Sequence, residues 1–297
     1  MTTFQQVADA WVASKNPHSG ELSRLSFWID EFGHTPIAHI SEADVDNAIR
    51  RLRLRGKLVA GRGTLRTPKA TGRPLAESTV NRFISTLSSV FKYARKLRVL
   101  LRSHEPPTRG IEKAPEPVDP NKYFRPQEVD QLIAVARVMD ARWKRLPALI
   151  TLGFHTGLRV GNLMGLRWRD INLENATVRV AVTKNGHPMV SPLSERCVIE
   201  LRQIPEGPSD ELVFKSYRNS GPFNYRKLWN RVCDEAGFHG RTFHWLRHGC
   251  GSALASAGVS QAQIMQVMGH RTLVASARYM HSNVDDKREV VERVFGR

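Results

Sequence analysis

The residues best suited to chemistry lie in the second half of the chain, and each can bind a phosphate group or react with one. They are Arg159, Lys184, His244, Arg247, His270 and Tyr279. Arginine binds phosphate oxygens through paired hydrogen bonds, histidine and lysine transfer protons, and an activated tyrosine hydroxyl is a nucleophile. The set therefore indicates attack on a phosphodiester that leaves a covalent phosphotyrosine.

The roles follow from what such an attack requires. Arg159 and Arg247 are the candidates that meet the charge on the non-bridging oxygens. A tyrosine hydroxyl has an ordinary pKa of about 10 and needs help to lose its proton, a role that we assign to His244. Lys184 is the candidate that protonates the departing 5′ oxygen. The ester conserves the bond energy, so no ATP, metal or other cofactor is expected.

The spacing of the candidates indicates how they are positioned. Arg159 follows Gly157 at a predicted helix boundary, where small residues permit close approach. His244 and Arg247 are three residues apart, so they share a helix face. Lys184 lies at a predicted hairpin tip, because Asn-Gly follows it and a strand pattern precedes it.

His270 and Tyr279 could not act together on one continuous helix. Nine helical residues would separate them by about 13.5 Å and place them on opposite faces. Gly269 is a suitable helix C-cap, so we expect the chain to turn at His270 and to begin a new helix beyond Thr272. That turn would bring His270 back to the site.

A zinc site is the rival interpretation of His244 and His248, which are four residues apart. Trp245 occupies the position at which a metalloprotease helix needs its glutamate, and no nearby carboxylate or cysteine completes a ligand set. We therefore expect no metal. His248 is expected to pack against its helix rather than to take part in the chemistry.

Composition agrees with a DNA partner. The 297 residues carry a formal net charge of +17, from 45 Lys and Arg against 28 Asp and Glu, and such a balance favours a polyanion. No apolar run approaches the length of a membrane span and the N-terminus does not resemble a signal peptide, so no membrane partner and a cytoplasmic location are expected. The three cysteines are odd in number and far apart, so neither a disulfide framework nor a Cys-x-x-Cys metal site is expected.

A proline-rich segment divides the chain. We predict a helical DNA-binding domain at 1–104, a linker at 105–121 and a catalytic domain at 122–297. The first domain shows helical apolar periodicity and a stretch, 50–73, with nine Lys or Arg and no acid. The residues expected to contact DNA phosphates are Arg50, Arg51, Arg53, Arg82, Lys92, Arg95 and Lys96.

The second domain combines helices with a small antiparallel sheet. Residues 177–182 alternate with period two before the predicted turn at 183–186, and 189–192 form the returning strand. The remaining segments are mostly helical, so the fold class is an all-α domain followed by a mainly α (α+β) domain. The tail, 284–295, carries an apolar helical face that can pack on its own domain or dock on a neighbouring subunit.

These motifs resemble those of the tyrosine recombinases, also called phage integrases, over nearly the whole chain. The family's active site has an arginine in T-G-x-R, a lysine at a hairpin, an H-x-x-R pair, a histidine in G-H and a tyrosine nine residues later. The matching residues here are Arg159, Lys184, His244, Arg247, His270 and Tyr279. Asn162 is a departure, since family members commonly place an acidic residue there.

The resemblance implies a site-specific recombinase of integrase type that acts through a 3′-phosphotyrosine and a Holliday junction. It implies double-stranded DNA at specific sites as the substrate, a homotetramer on two sites, a directionality factor, and service to a phage or other mobile element. It also favours docking of the tail, 284–295, on a neighbouring subunit, since such a tail is exchanged between subunits in this family. Two other classes fit the same residues: a type IB topoisomerase and a catalytically idle DNA-binding regulator. Supercoil relaxation without a partner site would favour the first, and failure to form an adduct the second.

Overall fold

The computed structural model describes residues 1–59, 69–116, 122–181, 188–217, 221–270, 272–277, 279, 292 and 295–296. The chain separates into two compact units, Met1–Val118 and Asp119–Arg297. This division falls within the segment 105–121 that the sequence predicts as a linker. Within the described ranges, none of the helices has both the length and the apolar character needed to cross a membrane.

Among the described residues of the first unit are four α-helices, and each carries one of the predicted apolar stripes. They are α1 (Phe4–Lys15), α2 (Ser19–Phe32), α3 (Glu42–Arg55) and α4 (Glu77–Lys96). The first three begin after a residue whose side chain accepts a backbone N–H of the first turn, which stabilises the helix start. Their buried faces form one core around Trp28, whose indole N–H donates to the Phe83 carbonyl at 2.9 Å.

The first unit is not all-α, contrary to the prediction. In the basic stretch, β1 (Leu58–Val59) pairs antiparallel with β2 (Lys69–Ala70). Gly56, with φ of +67°, ends α3, and the next N–H, that of Lys57, donates to the Arg73 carbonyl at 2.8 Å. Backbone N–H and C=O groups beyond the end of a helix still need hydrogen-bond partners, and here the two ends of the predicted loop supply them to each other.

Residues 105–116, predicted as the start of the linker, pack on α4. The buried Thr108 hydroxyl accepts a hydrogen bond from Ser88 at 2.8 Å, and the Asn81 amide donates to the Ala114 carbonyl at 2.9 Å. Prolines exclude a regular helix but not tertiary contact. The first unit therefore extends past residue 104.

The second unit is built mainly of helices. Its elements in chain order are α5 (Pro126–Met139), α6 (Arg145–His155), α7 (Val160–Met164), β3 (Ile171–Asn172), β4 (Thr177–Val180), β5 (Met189–Pro192), α8 (Glu195–Arg202), α9 (Tyr225–Glu235), α10 (His244–Ser256), α11 (Gln261–Val267) and α12 (Leu273–Ala277). Residues 145–154 of α6 are all buried, so this helix lies in the core. The Asp140 carboxylate accepts the N–H groups of Arg145 and Leu146, both at 2.8 Å, at the start of α6.

The predicted small antiparallel sheet is present. It has the order β3-β4-β5, and the predicted hairpin pairs Thr177 with Pro192 and Val180 with Met189. β3, which the sequence pattern does not reveal, pairs with the other edge of β4. Residues 182–187, which include the predicted turn and Lys184, lie outside the described ranges.

Candidate active site

The turn after α6 places Arg159 beside the core. The Thr156 hydroxyl donates to α6 and accepts the Leu158 N–H at 3.2 Å. Gly157 has φ of +61°, and a Cβ there would lie 3.1 Å from Cys250 Sγ on α10. Leu158 is buried, and Arg159 is half-buried at the N-cap of α7. The threonine, glycine and leucine therefore fix the turn that presents the arginine.

Arg247 joins three segments of the site. Only 4% of the residue is exposed, and its guanidinium donates to the Gly157 carbonyl and, at 2.8 Å, to the Met268 carbonyl. These oxygens lie in the Arg159 turn and at the end of α11. A buried charge needs such partners, and its planar fork can hold two acceptors at once. Arg247 thus sets the spacing between the segments that carry Arg159 and His270.

His270 follows a sharp helix end, as the sequence predicts. α11 ends in a Schellman motif in which Gly269, with φ of +60°, donates to the Gln266 carbonyl and His270 donates to the Met265 carbonyl. The imidazole Nδ1 of His270 lies 2.7 Å from the Ser276 hydroxyl, and Ser276 is fully buried on α12. The ring is therefore held by the segment that leads to Tyr279.

Tyr279 packs against α10 with 8% of its surface exposed. Its ring lies nearly parallel to that of His270, at an angle of 11° and with 6.2 Å between the ring centroids. Its hydroxyl lies 3.1 Å from His248 Nδ1. Beneath the ring is Gly251, where an added Cβ would lie 2.7 Å from two ring carbons. The turn at Gly269 therefore brings His270 and Tyr279 together, which a continuous helix would not allow.

His248 has a position that sequence reasoning did not give it. From the sequence, His244 is expected to take the proton of the Tyr279 hydroxyl and His248 to pack against its helix. The structure instead places His248 Nδ1 at that hydroxyl. His244 is exposed one turn earlier, and its ring meets that of His248 edge to face with 4.8 Å between centroids. The only sequence signal is the glycine three residues after His248, which opens the helix face to the ring.

Strand β5, the returning arm of the hairpin predicted to carry Lys184, packs beside the turn that holds His270. Met189, the first residue of β5, lies over Gly269, where an added Cβ would come within 2.7 Å of the methionine sulfur. Lys184 itself lies outside the described ranges. The returning strand nevertheless contacts the turn that holds His270, so this arm of the hairpin lies at the site.

The predicted phosphate contacts of the first unit differ in their electrostatic surroundings. Arg51 on α3 forms an ion pair with Glu31, and Arg53 pairs with Glu77 at 2.8 Å. The hydrogen bond to Glu31 raises the pKa of Arg51. Arg50 and Arg82 are exposed. Sequence reasoning missed the acid from α2 that neutralises Arg51, because the two are 20 residues apart.

The other predicted contacts line a basic groove. This groove, of about 790 Å³, lies between the C-terminal ends of α1 and α4. Its charged lining residues are all cations: Lys15, Lys92, Arg95, Lys96, Arg98 and Arg102. Trp11 and Tyr93 add aromatic surface, and the Trp11 indole donates to Ser89 at 3.2 Å. In the part of the chain that the structure describes, no group of three or more His, Cys, Asp or Glu could hold a metal ion.

Comparison with known proteins gives one family. The model of the phage integrase family matches residues 122–286. The integrase of Salmonella phage P22 is 23% identical over 99% of this chain and 81% of its own length. Tyrosine recombinase XerC of Roseiflexus castenholzii is 26% identical over 71% of this chain and 70% of its own.

Solved structures give the same fold. A Tn1549 transposon integrase in complex with transposon right end DNA has a TM-score of 0.71 at 18% identity, covering 99% of each chain. A lambda integrase dimer bound to a COC′ core site has a TM-score of 0.68 at 17% identity, covering 95% of this chain and 97% of that one. At these identities the likeness concerns the fold.

Proposed function

Because the chain belongs to the phage integrase family, it is an enzyme that cuts and rejoins DNA as a site-specific recombinase, and we propose that Tyr279 is its nucleophile. One observation carries this proposal: the Tyr279 hydroxyl lies 3.1 Å from His248 Nδ1 and its ring lies parallel to that of His270, which follows the helix end that Arg247 binds through the Met268 carbonyl; the hydrogen bonds of Arg247 to the Gly157 and Met268 carbonyls are called the Arg247 clamp. A type IB topoisomerase or an idle regulator is not favoured by the family match.

The reaction forms a bond between the Tyr279 oxygen and the scissile phosphorus and releases a 5′ hydroxyl. The product is a 3′-phosphotyrosine, which a 5′ hydroxyl from a partner strand can attack to rejoin the DNA. Arg159 and Arg247 stabilise the charge on the non-bridging oxygens, and His244 and His270 donate hydrogen bonds to the same phosphate. Lys184 protonates the departing 5′ oxygen.

The basic groove of the first unit is proposed to hold the DNA backbone. Its six cations include Lys92, Arg95 and Lys96, and one of the six, Lys15, forms an ion pair with Glu21 at 2.8 Å. Arg50 and Arg82 extend the contact, whereas Arg51 and Arg53 must exchange their glutamate partners before they can bind phosphate. Backbone contacts of this kind place a protein on DNA without reading its sequence.

We further propose that four copies act on two DNA sites and exchange one pair of strands at a time through a Holliday junction. The element served is a phage or other mobile element, the reaction takes place in the cytoplasm, and a directionality factor chooses between integration and excision. Docking of the tail on a neighbouring subunit stays a prediction, because most of 284–295 lies outside the described residues.

Covalent capture from a DNA library tests this function and identifies the target sequence in the same experiment. The protein is incubated with random duplexes that carry nicks, stopped with detergent, and recovered with its covalently attached DNA for sequencing. We expect one enriched sequence with inverted halves, and recombination between two copies of it on a plasmid. Capture of unrelated sequences together with supercoil relaxation would instead identify a topoisomerase. Binding to DNA without any covalent capture would identify an idle regulator.

A further inference from the structure

Helix α10 presents a seat for the Tyr279 side chain. His248 and Gly251 are three residues apart on this helix and therefore share one face. The ring of Tyr279 lies over Gly251, where a Cβ would meet three ring carbons at 2.7 to 2.8 Å, and the hydroxyl reaches His248. The seat fixes both ends of the side chain, the ring by shape and the hydroxyl by a hydrogen bond.

The other side of the ring is also held. His270 lies parallel to Tyr279, and its Nδ1 is bonded to Ser276, three residues before Tyr279. The Tyr279 N–H donates to the Ser276 carbonyl at 3.1 Å. The nucleophile thus lies between two histidines, and His248 is the one placed at 3.1 Å from the oxygen that reacts.

The two histidines of α10 face different surroundings. His244 is exposed, whereas His248 is half-buried and its Nδ1 is turned to the tyrosine. The exposed ring of His244 can reach a phosphate arriving from solvent, whereas Nδ1 of His248 is already engaged by the tyrosine hydroxyl. This division separates phosphate binding from handling of the nucleophile's proton.

We propose that His248 is a catalytic residue that orients the Tyr279 hydroxyl and accepts its proton. The neutral imidazole, protonated on Nε2, offers Nδ1 as the acceptor. As the Tyr279 oxygen bonds to phosphorus, its proton moves to Nδ1, the bond from phosphorus to the 5′ oxygen breaks, and that oxygen takes a proton from a separate acid, the role proposed for Lys184. On rejoining, His248 returns the proton to the tyrosine oxygen.

This inference rests on the proposed function, and its test begins where that function holds, with a captured DNA site on which the wild-type protein forms an adduct. The rate of adduct formation is measured in a single turnover for His248→Ala and His248→Asn. Loss of a positioned proton acceptor typically slows a reaction about 10²- to 10⁴-fold. We expect a loss in this range for both variants, because asparagine can replace the hydrogen bond but cannot take the proton.

Chemical rescue separates catalysis from folding. Added imidazole should restore cleavage by His248→Ala, whose missing ring leaves space, and should not restore His248→Asn. His239→Asn is the matched control, since His239 lies in the same unit, is exposed and pairs with Asp234; it should cleave at the wild-type rate. Thermal unfolding identifies any variant that has lost its fold, and His248→Asn then carries the test.

A substrate with sulfur in place of the bridging 5′ oxygen locates the proton. A thiolate departs without an acid, so this substrate should restore cleavage by Lys184→Ala but not by His248→Ala. Cleavage at the wild-type rate by a folded His248→Ala protein would overturn the proposal. Rescue of His248→Ala by the sulfur substrate would also overturn it, because that result would place His248 at the leaving group. Failure of the wild-type protein to form any adduct would instead refute the proposed function.

Discussion

Gly251 lies within α10, directly beneath the ring of Tyr279, and its replacement by alanine separates stability from activity. A Cβ at this position would lie 2.7 Å from the nearest ring carbons, whereas ordinary contact begins at 3.4 Å. The ring must therefore retreat by about 0.7 Å, the difference between these two distances. The hydroxyl would then leave the position in which it meets His248.

The two expected effects have opposite signs. Alanine in place of a helical glycine stabilises the helix by about 1 kcal/mol, which corresponds to a rise of about 2–4 °C in Tm for a unit of this size. Displacement of a reacting group by about 1 Å can cost about 10²-fold in rate. Gly251→Ala should therefore unfold at the same or a higher temperature and cleave about 10- to 100-fold more slowly.

The assay pairs thermal unfolding with the single-turnover rate of adduct formation on a captured site. Gly161→Ala is the matched control, because Gly161 is an exposed helical glycine on α7 whose added Cβ would meet nothing within 4 Å. It should gain similar stability and keep the wild-type rate. Unchanged cleavage by Gly251→Ala would contradict the position of the Tyr279 ring over Gly251.

Three further predictions concern other parts of the molecule. Arg247→Lys should lower the free energy of unfolding by about 2–3 kcal/mol, because lysine cannot hold the Gly157 and Met268 carbonyls together. Arg159→Lys, at a half-buried turn, should change the free energy of unfolding by less than about 0.5 kcal/mol. Both variants should cleave about 10²- to 10³-fold more slowly, and equal unfolding free energies for the two variants in chemical denaturation would argue against the Arg247 clamp. Replacing Lys92 and Lys96 of the basic groove by glutamine should reduce the slope of log affinity against log salt by about 2. Arg51→Gln should leave this slope unchanged, because Arg51 is paired with Glu31. Equal slopes for the wild-type protein and both variants in a DNA-binding titration would refute the groove as a phosphate site. Burial raises the pKa of Cys233 and of Cys250 to about 12. At a pH of about 8, well below that value, both thiols should therefore stay protonated, resist alkylation in the native protein and react once it is unfolded, as measured by mass spectrometry. Rapid alkylation of Cys250 in the native protein would mean that its packing against Gly157 is open to solvent.

Local rules predict the backbone of the site. Gly157 and Gly269 end their helices with positive φ, and both ends follow from the sequence because glycine adopts this conformation without strain. The β4–β5 pairing follows from period-two alternation. These features depend on residues a few positions apart, so the chain displays them directly.

Contacts between distant segments do not follow in the same way. The hydroxyl of Tyr279 bonds His248, 31 residues away, and helical spacing relates His248 only to its own helix. The Arg51–Glu31 pair and the packing of 105–116 on α4 join segments whose approach is set by the folded core. Charge counts and proline content do not predict these contacts, since they describe composition and not the distance between segments in the folded protein.

The most direct test of the central claim is to identify the residue that carries the DNA. A nicked duplex of the captured site traps the covalent complex, nuclease treatment trims it, and peptide mass spectrometry locates the attached nucleotide. We predict a nucleotide linked through its 3′ phosphate to Tyr279 in the wild-type protein, and no adduct in Tyr279→Phe with DNA binding retained. A nucleotide on any other residue, or an adduct formed by Tyr279→Phe, would contradict the account.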